Sequence, residues 1–224
     1  MISKKSLIFA TGLTLSALGL TACGNNEQAQ NSQVSTLEQI KQNDVIRVAV
    51  FADNPPFGYV DSEGKNQGFD IAIAKHIAKD LLGDENKIKY VVTEASNRVE
   101  FLKSNKVDVV FASFSVTPER IEVVDFAEPY LKASLGIASP KKNPINSVKD
   151  LENKTLIVNK GSSSDSYFSK NYPKIKLLKF EQNTDAFNAL KDGRGDAISQ
   201  DSTYALAWAA QNPDYVVGIP QIGN

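Results

Sequence analysis

The order of local sequence patterns constrains the fold of this chain more than any other feature. From residue 45 onward, short segments rich in β-branched and aromatic residues alternate with segments whose apolar residues recur at helical spacing. Residues 45–51 form the first strand pattern, and residues 69–81 form a helical pattern that Gly83 is placed to end. This alternation is typical of an α/β protein with mostly parallel strands.

A weak internal repeat relates residues 89–113 to residues 177–201 at constant spacing. Each stretch has the pattern strand, helix, strand, although identical residues are few and any two such units look alike. If the repeat holds, Ser113 and Asp201 lie just beyond the carboxyl ends of two matching strands, where open α/β sheets bind ligands. Two such halves would face each other across a cleft that closes by a hinge motion.

The boundary between the halves is predicted in a long extended segment, residues 130–138. We therefore predict a first lobe over residues 37–132 and a second lobe over residues 133–220. Residues 221–224 are predicted to begin a second crossing between the lobes. Each lobe is expected to contain a mostly parallel sheet flanked by helices.

The N-terminus has the order of an export signal. Lys4 and Lys5 precede a mostly apolar run over residues 7–20, and small residues lead from it to Cys23. Because the run is shorter than the roughly 20 residues of a membrane span, residues 1–22 are predicted to be cleaved off. Alternatively, the segment is an ordinary secretory signal and Cys23 is an incidental buried cysteine. Since Cys23 is the only cysteine, an internal disulfide is excluded.

The segment after the signal is polar. Residues 24–35 are mostly Asn, Gln, Glu, Ser and Ala, which cannot bury a core, so residues 23–36 are predicted to form a flexible tether. The formal net charge of the chain is −1, which argues against nucleic acid as a partner.

Hydroxyl groups and an arginine follow one of the predicted strands. Ser113, Ser115 and Thr117 supply the hydroxyls, and Arg120 supplies a guanidinium, whose planar pair of donors matches a carboxylate. In the alternative interpretation, Thr117 caps a short helix that Pro118 begins, and Arg120 is a solvated surface charge. This stretch alone favours neither interpretation.

Serines also follow a strand in the second half. Ser162 and Ser163 come after Gly161 and before a predicted helix, where backbone N–H groups and hydroxyls attract anions. An ordinary serine cap is the alternative, and this segment alone favours it. The segment lacks the Gly-Lys-Ser/Thr ending of a phosphate loop.

Asp201 ends a predicted strand and is the natural acceptor for an ammonium group, with Arg120 as the partner of a carboxylate. Its alternative role is the N-cap of a helix predicted over residues 202–211. Arg98 is a candidate contact for a ligand side chain, although a surface role is equally compatible. Aromatic residues beside strands usually belong to the core, but four of them are candidate walls of the cleft: Phe51, Phe57, Tyr59 and Phe114.

Catalytic groups are scarce in this sequence. His76 is the only histidine and is expected on the polar side of a surface helix, so a Ser-His-Asp arrangement or a histidine-rich metal site cannot be assembled. Paired carboxylates are numerous enough, but no spacing singles out one pair. Paired carboxylates thus stay open, and we otherwise predict no catalytic residue, metal or cofactor.

Several motifs resemble the polar amino-acid group of periplasmic solute-binding proteins of ABC importers, over residues 37–224. They are Gly68-Phe69-Asp70-Ile71-Ala72, Lys106-Val107-Asp108-Val109-Val110, Ser115-Val116-Thr117-Pro118-Glu119-Arg120, Asp125-Phe126-Ala127-Glu128-Pro129-Tyr130, Lys160-Gly161-Ser162-Ser163 and Gly195-Asp196-Ala197-Ile198-Ser199-Gln200-Asp201. Residues 53–60 and 94–102 look most similar to the cysteine-binding members. The residues that lead to Cys23 resemble the bacterial lipobox, in which the cysteine thiol is acylated.

The resemblance implies a two-lobed periplasmic-binding-protein type II fold and a set of ligand contacts. Arg120 would bind the ligand carboxylate, with Ser113, Ser115 and Ser163 as hydrogen-bonding partners, and Asp201 would bind the ammonium group.

The resemblance also bears on the identity of the ligand. Asn54 stands where many histidine- and lysine-binding relatives have a stacking aromatic residue, which favours a smaller ligand such as cysteine. Arg98 corresponds to a position that meets the ligand side chain in binders of acidic amino acids, so aspartate stays open.

The same resemblance implies an exported monomer, held to a bacterial membrane by a lipid on Cys23, that hands its ligand to an ABC permease. The alternatives are an enzyme similar to the dehydratases of aromatic amino-acid synthesis, and a surface antigen or adhesin. Because chains of this family continue with elements that complete the first lobe, a chain that stops at Asn224 is expected to be truncated and to leave apolar surface exposed there.

Overall fold

The computed structural model describes residues 34–222, and the predicted signal, Cys23 and most of the tether lie outside this range. The described residues form three β-sheets. The first lobe contains the strands β1 (Ile46–Val50), β2 (Asp53–Asn54), β3 (Gly58–Val60), β4 (Asn66–Gln67), β5 (Ile88–Val92) and β6 (Val109–Phe111). The second lobe contains β7 (Leu135–Pro140), β8 (Thr155–Asn159), β9 (Lys176–Phe180), β10 (Ala197–Asp201) and β11 (Tyr215–Ile222).

Helices cover these sheets in both lobes. Those of the first lobe are α1 (Thr36–Asn43), α2 (Phe69–Leu82), α3 (Arg98–Lys103) and α4 (Pro118–Ile121). Those of the second are α5 (Ser163–Asn171), α6 (Asn183–Lys191) and α7 (Ser202–Gln211), with a 3₁₀ turn at Val148–Leu151. Among the described residues, no helix is long and apolar enough to cross a membrane.

The main sheet of the first lobe is parallel, with strand order β5-β1-β6. Its central strand β1 is buried on both faces, with Val48, Ala49 and Val50 fully inaccessible, as expected for a strand between two layers of helices. Helix α2 packs its apolar face on this sheet and ends at Gly83 in the left-handed conformation, as its sequence predicts.

A small antiparallel sheet, β2-β3-β4, replaces the rigid loop that the two adjacent prolines predict. The cis peptide bond between Pro55 and Pro56 lies in the turn that joins β2 to β3. Because proline donates no backbone hydrogen bond, both residues occupy the turn and neither occupies a strand. The hairpin places Asp53 and Asn54 at the boundary with the second lobe.

The sheet of the second lobe has the order β11-β7-β10-β8-β9 and mixes two directions. Strand β8 pairs in parallel with β9 and β10, whereas β7 pairs in antiparallel fashion with β10 and β11. The chain enters this lobe at Leu135, which pairs with Asp201 at the end of β10. Because β7 starts at the edge of the sheet where the parallel strands end, it runs antiparallel to β10.

The internal repeat is confirmed by strand order and by hydrogen bonds. The order β5-β1-β6 corresponds to β9-β8-β10. Asp108 and Asp196 make equivalent bonds, since Asp108 Oδ2 accepts from the Arg47 N–H and Asp196 Oδ2 from the Thr155 N–H, each at 2.7 Å. Ser113 and Asp201 therefore follow equivalent strands and lie at facing edges of the two lobes.

Candidate ligand-binding site

A small polar cavity of about 20 Å³ lies between the two lobes, at the carboxyl ends of the parallel strands. Residues of the first lobe that line it are Phe51, Asn54, Ala95, Arg98 and Ser113. Residues of the second lobe that line it are Asn159, Ser162, Ser163, Ser164, Asn183, Gln200 and Asp201. The cleft that the repeat predicts is thus present, and most of its lining groups are polar.

Arg98 is buried in the wall of the first lobe, with 2 % of its surface exposed. Within the first lobe its guanidinium donates to three main-chain oxygens, those of Ala95 (3.0 Å), Ala112 (2.9 Å) and Ser113 (3.0 Å). Burial, followed by the positive charge of Arg120, lowers the pKa of Arg98 to about 9. The surface role that the sequence left open for Arg98 is therefore wrong.

Ser113 has an unusual backbone for a residue with a side chain, with φ of 47°. This left-handed conformation turns the chain sharply after β6. As a result the Ser113 carbonyl accepts from Arg98, and its hydroxyl accepts from Asn54 Nδ2 at 3.1 Å.

Arg120 reaches across the cleft from the start of α4. Its guanidinium donates to the Ser115 carbonyl (2.8 Å) in its own lobe, and to Ser163 Oγ (3.4 Å) and the Gly161 carbonyl (3.1 Å) in the second lobe. Thr117 caps α4 through its hydroxyl, as the alternative interpretation predicted. Arg120 itself is half-buried in the cleft, so it is not the solvated surface charge of that interpretation.

The Gly161 carbonyl oxygen lies between two guanidinium groups, because Arg98 also donates to it, at 3.4 Å. Glycine is required here, since φ is +72° and a Cβ atom would lie 2.7 Å from the Cα of Ser96 in the facing lobe. The Phe114 ring packs against both cations, at 4.7 Å from Arg98 and 4.6 Å from Arg120.

The three serines after Gly161 have different roles. Ser162 Oγ accepts from the Asp165 N–H at 3.1 Å and caps α5, which is the structural role that its sequence favoured. Ser164 shares a hydrogen bond of 2.9 Å with buried Ser199. Ser163 directs its hydroxyl to Arg120, and it is the serine of this group that joins the cationic wall.

Asp201 faces the two arginines from the end of β10. Its side chain makes no capping hydrogen bond to α7, although the helix begins at the next residue, as the sequence predicted. Burial raises the pKa of Asp201 to about 6, against the opposing effect of Arg98 and Arg120, and the negative charge of Asp70 raises it further. A carboxylate buried in this way gains from a cationic partner.

Sequence reasoning missed an amide network in the wall of the second lobe. Gln200 Nε2 donates to Asn159 Oδ1 and to Asn183 Oδ1, the latter at 3.1 Å. Asn159 and Gln200 are polar residues at the ends of the apolar strands β8 and β10. The same strand-end position that singled out Ser113 and Asp201 could therefore have identified them.

The four aromatic candidates for the cleft walls lie in different places. Phe51 lines the cavity, and Phe114 packs against the two arginines. Phe57 packs on an apolar cluster of the second lobe, and Tyr59 lies half-buried on β3. Neither Phe57 nor Tyr59 lines the cavity, because the hairpin carries both residues past its rim.

Two α/β lobes that present cations from one side and a carboxylate from the other define a solute-binding protein of the two-lobed class. The model of the bacterial extracellular solute-binding proteins, family 3, matches residues 46–207, and the chain belongs to this family. The predicted type II fold is thereby confirmed. The relatives reported below at 36% identity or more are binding proteins, which supports the prediction of a binding protein in place of an enzyme.

Relatives of known structure and function resemble the chain over most of its length. A cysteine-binding protein from Campylobacter jejuni is 58% identical, with a TM-score of 0.83 over 84% of this chain and 76% of that one. A solute receptor for L-cysteine of Neisseria gonorrhoeae is 54% identical, with a TM-score of 0.83 over 85% of this chain and 77% of that one.

Other relatives are named for a different ligand or for an enzymatic activity. The glutamine-binding protein of Geobacillus stearothermophilus is 36% identical over 216 residues, which is 91% of this chain and 82% of that protein. A cyclohexadienyl dehydratase of Pseudomonas aeruginosa is more distant, at 27% identity over 195 residues, 85% of this chain and 71% of the enzyme.

Proposed function

We propose that this protein binds a small free amino acid, cysteine, in the interlobe cleft and delivers it to an ABC permease. The observation that carries the proposal is the meeting of two charge types at one cavity. Arg98 and Asp201 line the cavity from the first and the second lobe, and Arg120 lies beside it, linked to Arg98 through the Gly161 carbonyl that both guanidinium groups share. A free α-amino acid carries both complementary charges, because its ammonium and carboxylate groups are attached to the same carbon.

In this proposal Arg120 binds the ligand carboxylate. Its guanidinium offers two parallel donors, and Ser163 adds a hydroxyl from the opposite lobe. The Gly161 carbonyl now accepts from Arg120 and Arg98, so an incoming carboxylate would replace this oxygen between the two cations. A carboxylate carries more negative charge than a carbonyl, and the exchange is therefore favourable.

The ammonium group of the ligand would pair with Asp201. The cavity is smaller than an amino acid, so we propose that residues 37–132 and 133–220 move apart to admit the ligand and then close on it. The ligand would then contact both lobes, through Asp201 at its ammonium group and through Arg120 and Ser163 at its carboxylate. Binding of this kind couples ligand recognition directly to closure.

The choice of cysteine rests on the wall of the cavity and on the relatives. Asn54 lines the cavity and bonds Ser113, so this part of the wall offers a polar amide and not the aromatic ring on which a long cationic side chain would stack. Two relatives of more than 50% identity are named for cysteine, whereas the glutamine-binding relative of Geobacillus stearothermophilus is at 36%.

A thermal melt tests the proposed ligand. Reduced cysteine at 100 times its dissociation constant should stabilise the folded chain by roughly 2.7 kcal/mol, which raises the melting temperature measurably. Glutamine, arginine and aspartate at the same concentration should give smaller shifts. A larger shift with one of these three would reassign the ligand, and the absence of a shift with every amino acid would remove the proposed function.

We further propose that the protein is exported and anchored through a lipid on Cys23. The support is the signal-like order of residues 1–22 and the single cysteine that follows it. Labelled palmitate fed to cells that express the full chain should enter the wild-type protein. It should be lost from Cys23→Ser, and equal labelling of both proteins would contradict the anchor.

A further inference from the structure

Helix α6 begins at the rim of the cleft without a side-chain cap of its own. Its N-cap residue Gln182 has the extended backbone that a capping residue adopts, yet its side chain makes no capping hydrogen bond. The first N–H groups of a helix have no partner within the helix and need one from elsewhere.

Asp53, on strand β2 of the first lobe, supplies the missing acceptor. Its Oδ2 accepts from the Thr184 N–H at 3.0 Å, and its Oδ1 accepts from Asn183 Nδ2 at 2.9 Å. The carboxylate thus lies at the positive end of α6, where a negative charge is favoured. This helix of one lobe is therefore capped by a residue of the other.

The groups that receive Asp53 are held firmly within the second lobe. Asn183 is buried and accepts from Gln200. Tyr204, which packs its ring at 5.1 Å from Phe187, donates its hydroxyl to the Asp53 carbonyl at 3.1 Å. The docking point for Asp53 is consequently preformed and does not depend on a ligand.

We propose that Asp53 is an interlobe cap that forms when the lobes close and that sets ligand affinity without touching the ligand. This inference rests on the proposed function, since it needs a cleft that opens and closes. Asp53 lies outside the cavity lining, so it acts as a positioning residue. A contact made only in the closed form raises the closed population and hence the apparent affinity.

The first test measures cysteine binding by titration calorimetry at constant pH. Asp53→Ala should bind about 2- to 30-fold more weakly, the range that the loss of a helix cap implies, with unchanged stoichiometry. Asp80→Ala is the matched control, because Asp80 is an exposed acid of the first lobe on α2. Equal affinities of wild type and Asp53→Ala would overturn the proposal.

A second variant separates an interlobe contact from simple support of α6. Gln182→Ser supplies a local cap that is present in open and closed forms alike. In the Asp53→Ala background it should restore the melting temperature and leave the affinity low. Recovery of the affinity as well would show that Asp53 only stabilises the helix, and would overturn the inference.

Small-angle X-ray scattering of the unliganded chain tests the Asp53 cap without any ligand. Asp53→Ala should shift the population toward a more open form, with a larger radius of gyration than that of Asp80→Ala. If wild type binds no amino acid, the proposed function fails while this comparison still tests the cap. Identical scattering of the two variants would then overturn the cap.

Discussion

Replacing Arg120 with alanine should weaken cysteine binding on the order of 100-fold or more. The reason is that the ligand carboxylate would lose its two-donor partner while staying in a partly desolvated cleft, and truncation of one member of such a pair commonly costs about 2–5 kcal/mol. The variant should also lose the interlobe bonds to Ser163 and the Gly161 carbonyl. Titration calorimetry with reduced cysteine measures the effect.

Arg120→Lys and Arg194→Ala are the matched comparisons for this prediction. Lysine keeps the charge but not the planar pair of donors, so its affinity should lie between those of wild type and Arg120→Ala. Arg194 packs against Phe180 in the second lobe, away from the cleft, and its loss should leave binding unchanged. Normal binding by folded Arg120→Ala would show that the carboxylate is held elsewhere.

Asp201→Asn should weaken binding to a similar extent and should also change its pH dependence. The amide preserves the shape of the side chain, so the loss of affinity reports the loss of charge opposite the ligand ammonium. A buried ammonium without its carboxylate is costly, because little water remains to solvate it.

The pH dependence follows from the ionisation of Asp201. Burial raises its pKa to about 6 in the unliganded cleft, and the ammonium pairs with the ionised form. Affinity should therefore be complete above about pH 7 and should fall as the pH drops through 6, by up to about tenfold per unit. Asp201→Asn should lose this dependence.

Glu94 is a second group that titrates near the cleft and needs its own control. Burial, followed by the charges of Asp53, Glu181 and Asp185, raises its pKa to about 7. Glu94→Gln should retain the decline in affinity near pH 6. If the decline disappears in Glu94→Gln and persists in Asp201→Asn, the assignment of the ammonium to Asp201 is wrong.

Local capping was predictable from the sequence because its partners are neighbours along the chain. Thr117 caps α4 three residues ahead of its partner, Ser162 caps α5, and Gly83 ends α2. Such contacts depend on residue type and spacing alone. The bounds of α7 also agree with the predicted helix over residues 202–211, although Asp201 does not cap it.

The positions of Ser113 and Asp201 were predictable for a different reason. Right-handed crossovers between parallel strands are nearly obligatory, so two strand-helix-strand units of one pattern must bring their strand ends to corresponding edges. The repeat therefore predicts that both residues lie at the cleft, without information on any tertiary contact. It also explains why Asn159 and Gln200, at neighbouring strand ends, belong to the same wall.

Contacts between distant segments could not be predicted, since each depends on burial and on a partner far away in sequence. Arg98 is inside the wall because the turn at Ser113 brings the carbonyls of Ala112 and Ser113 to its guanidinium, beside the local Ala95 carbonyl. The Asp53 carboxylate meets the start of α6 more than 100 residues later along the chain. No local pattern distinguishes these side chains from solvated ones.

The amino-acid sequence alone therefore specified the alternation of strands and helices, several of their caps and the repeat, and it predicted Arg120 and Asp201 as charged residues of the cleft. Periodicity and capping act over a few residues, and a repeat transfers that information from one lobe to the other. The tertiary structure decided which polar groups lose water, which carbonyl lies between the two arginines and which residue caps α6. These properties depend on desolvation and on the packing of one lobe against the other, and both arise only when distant segments meet.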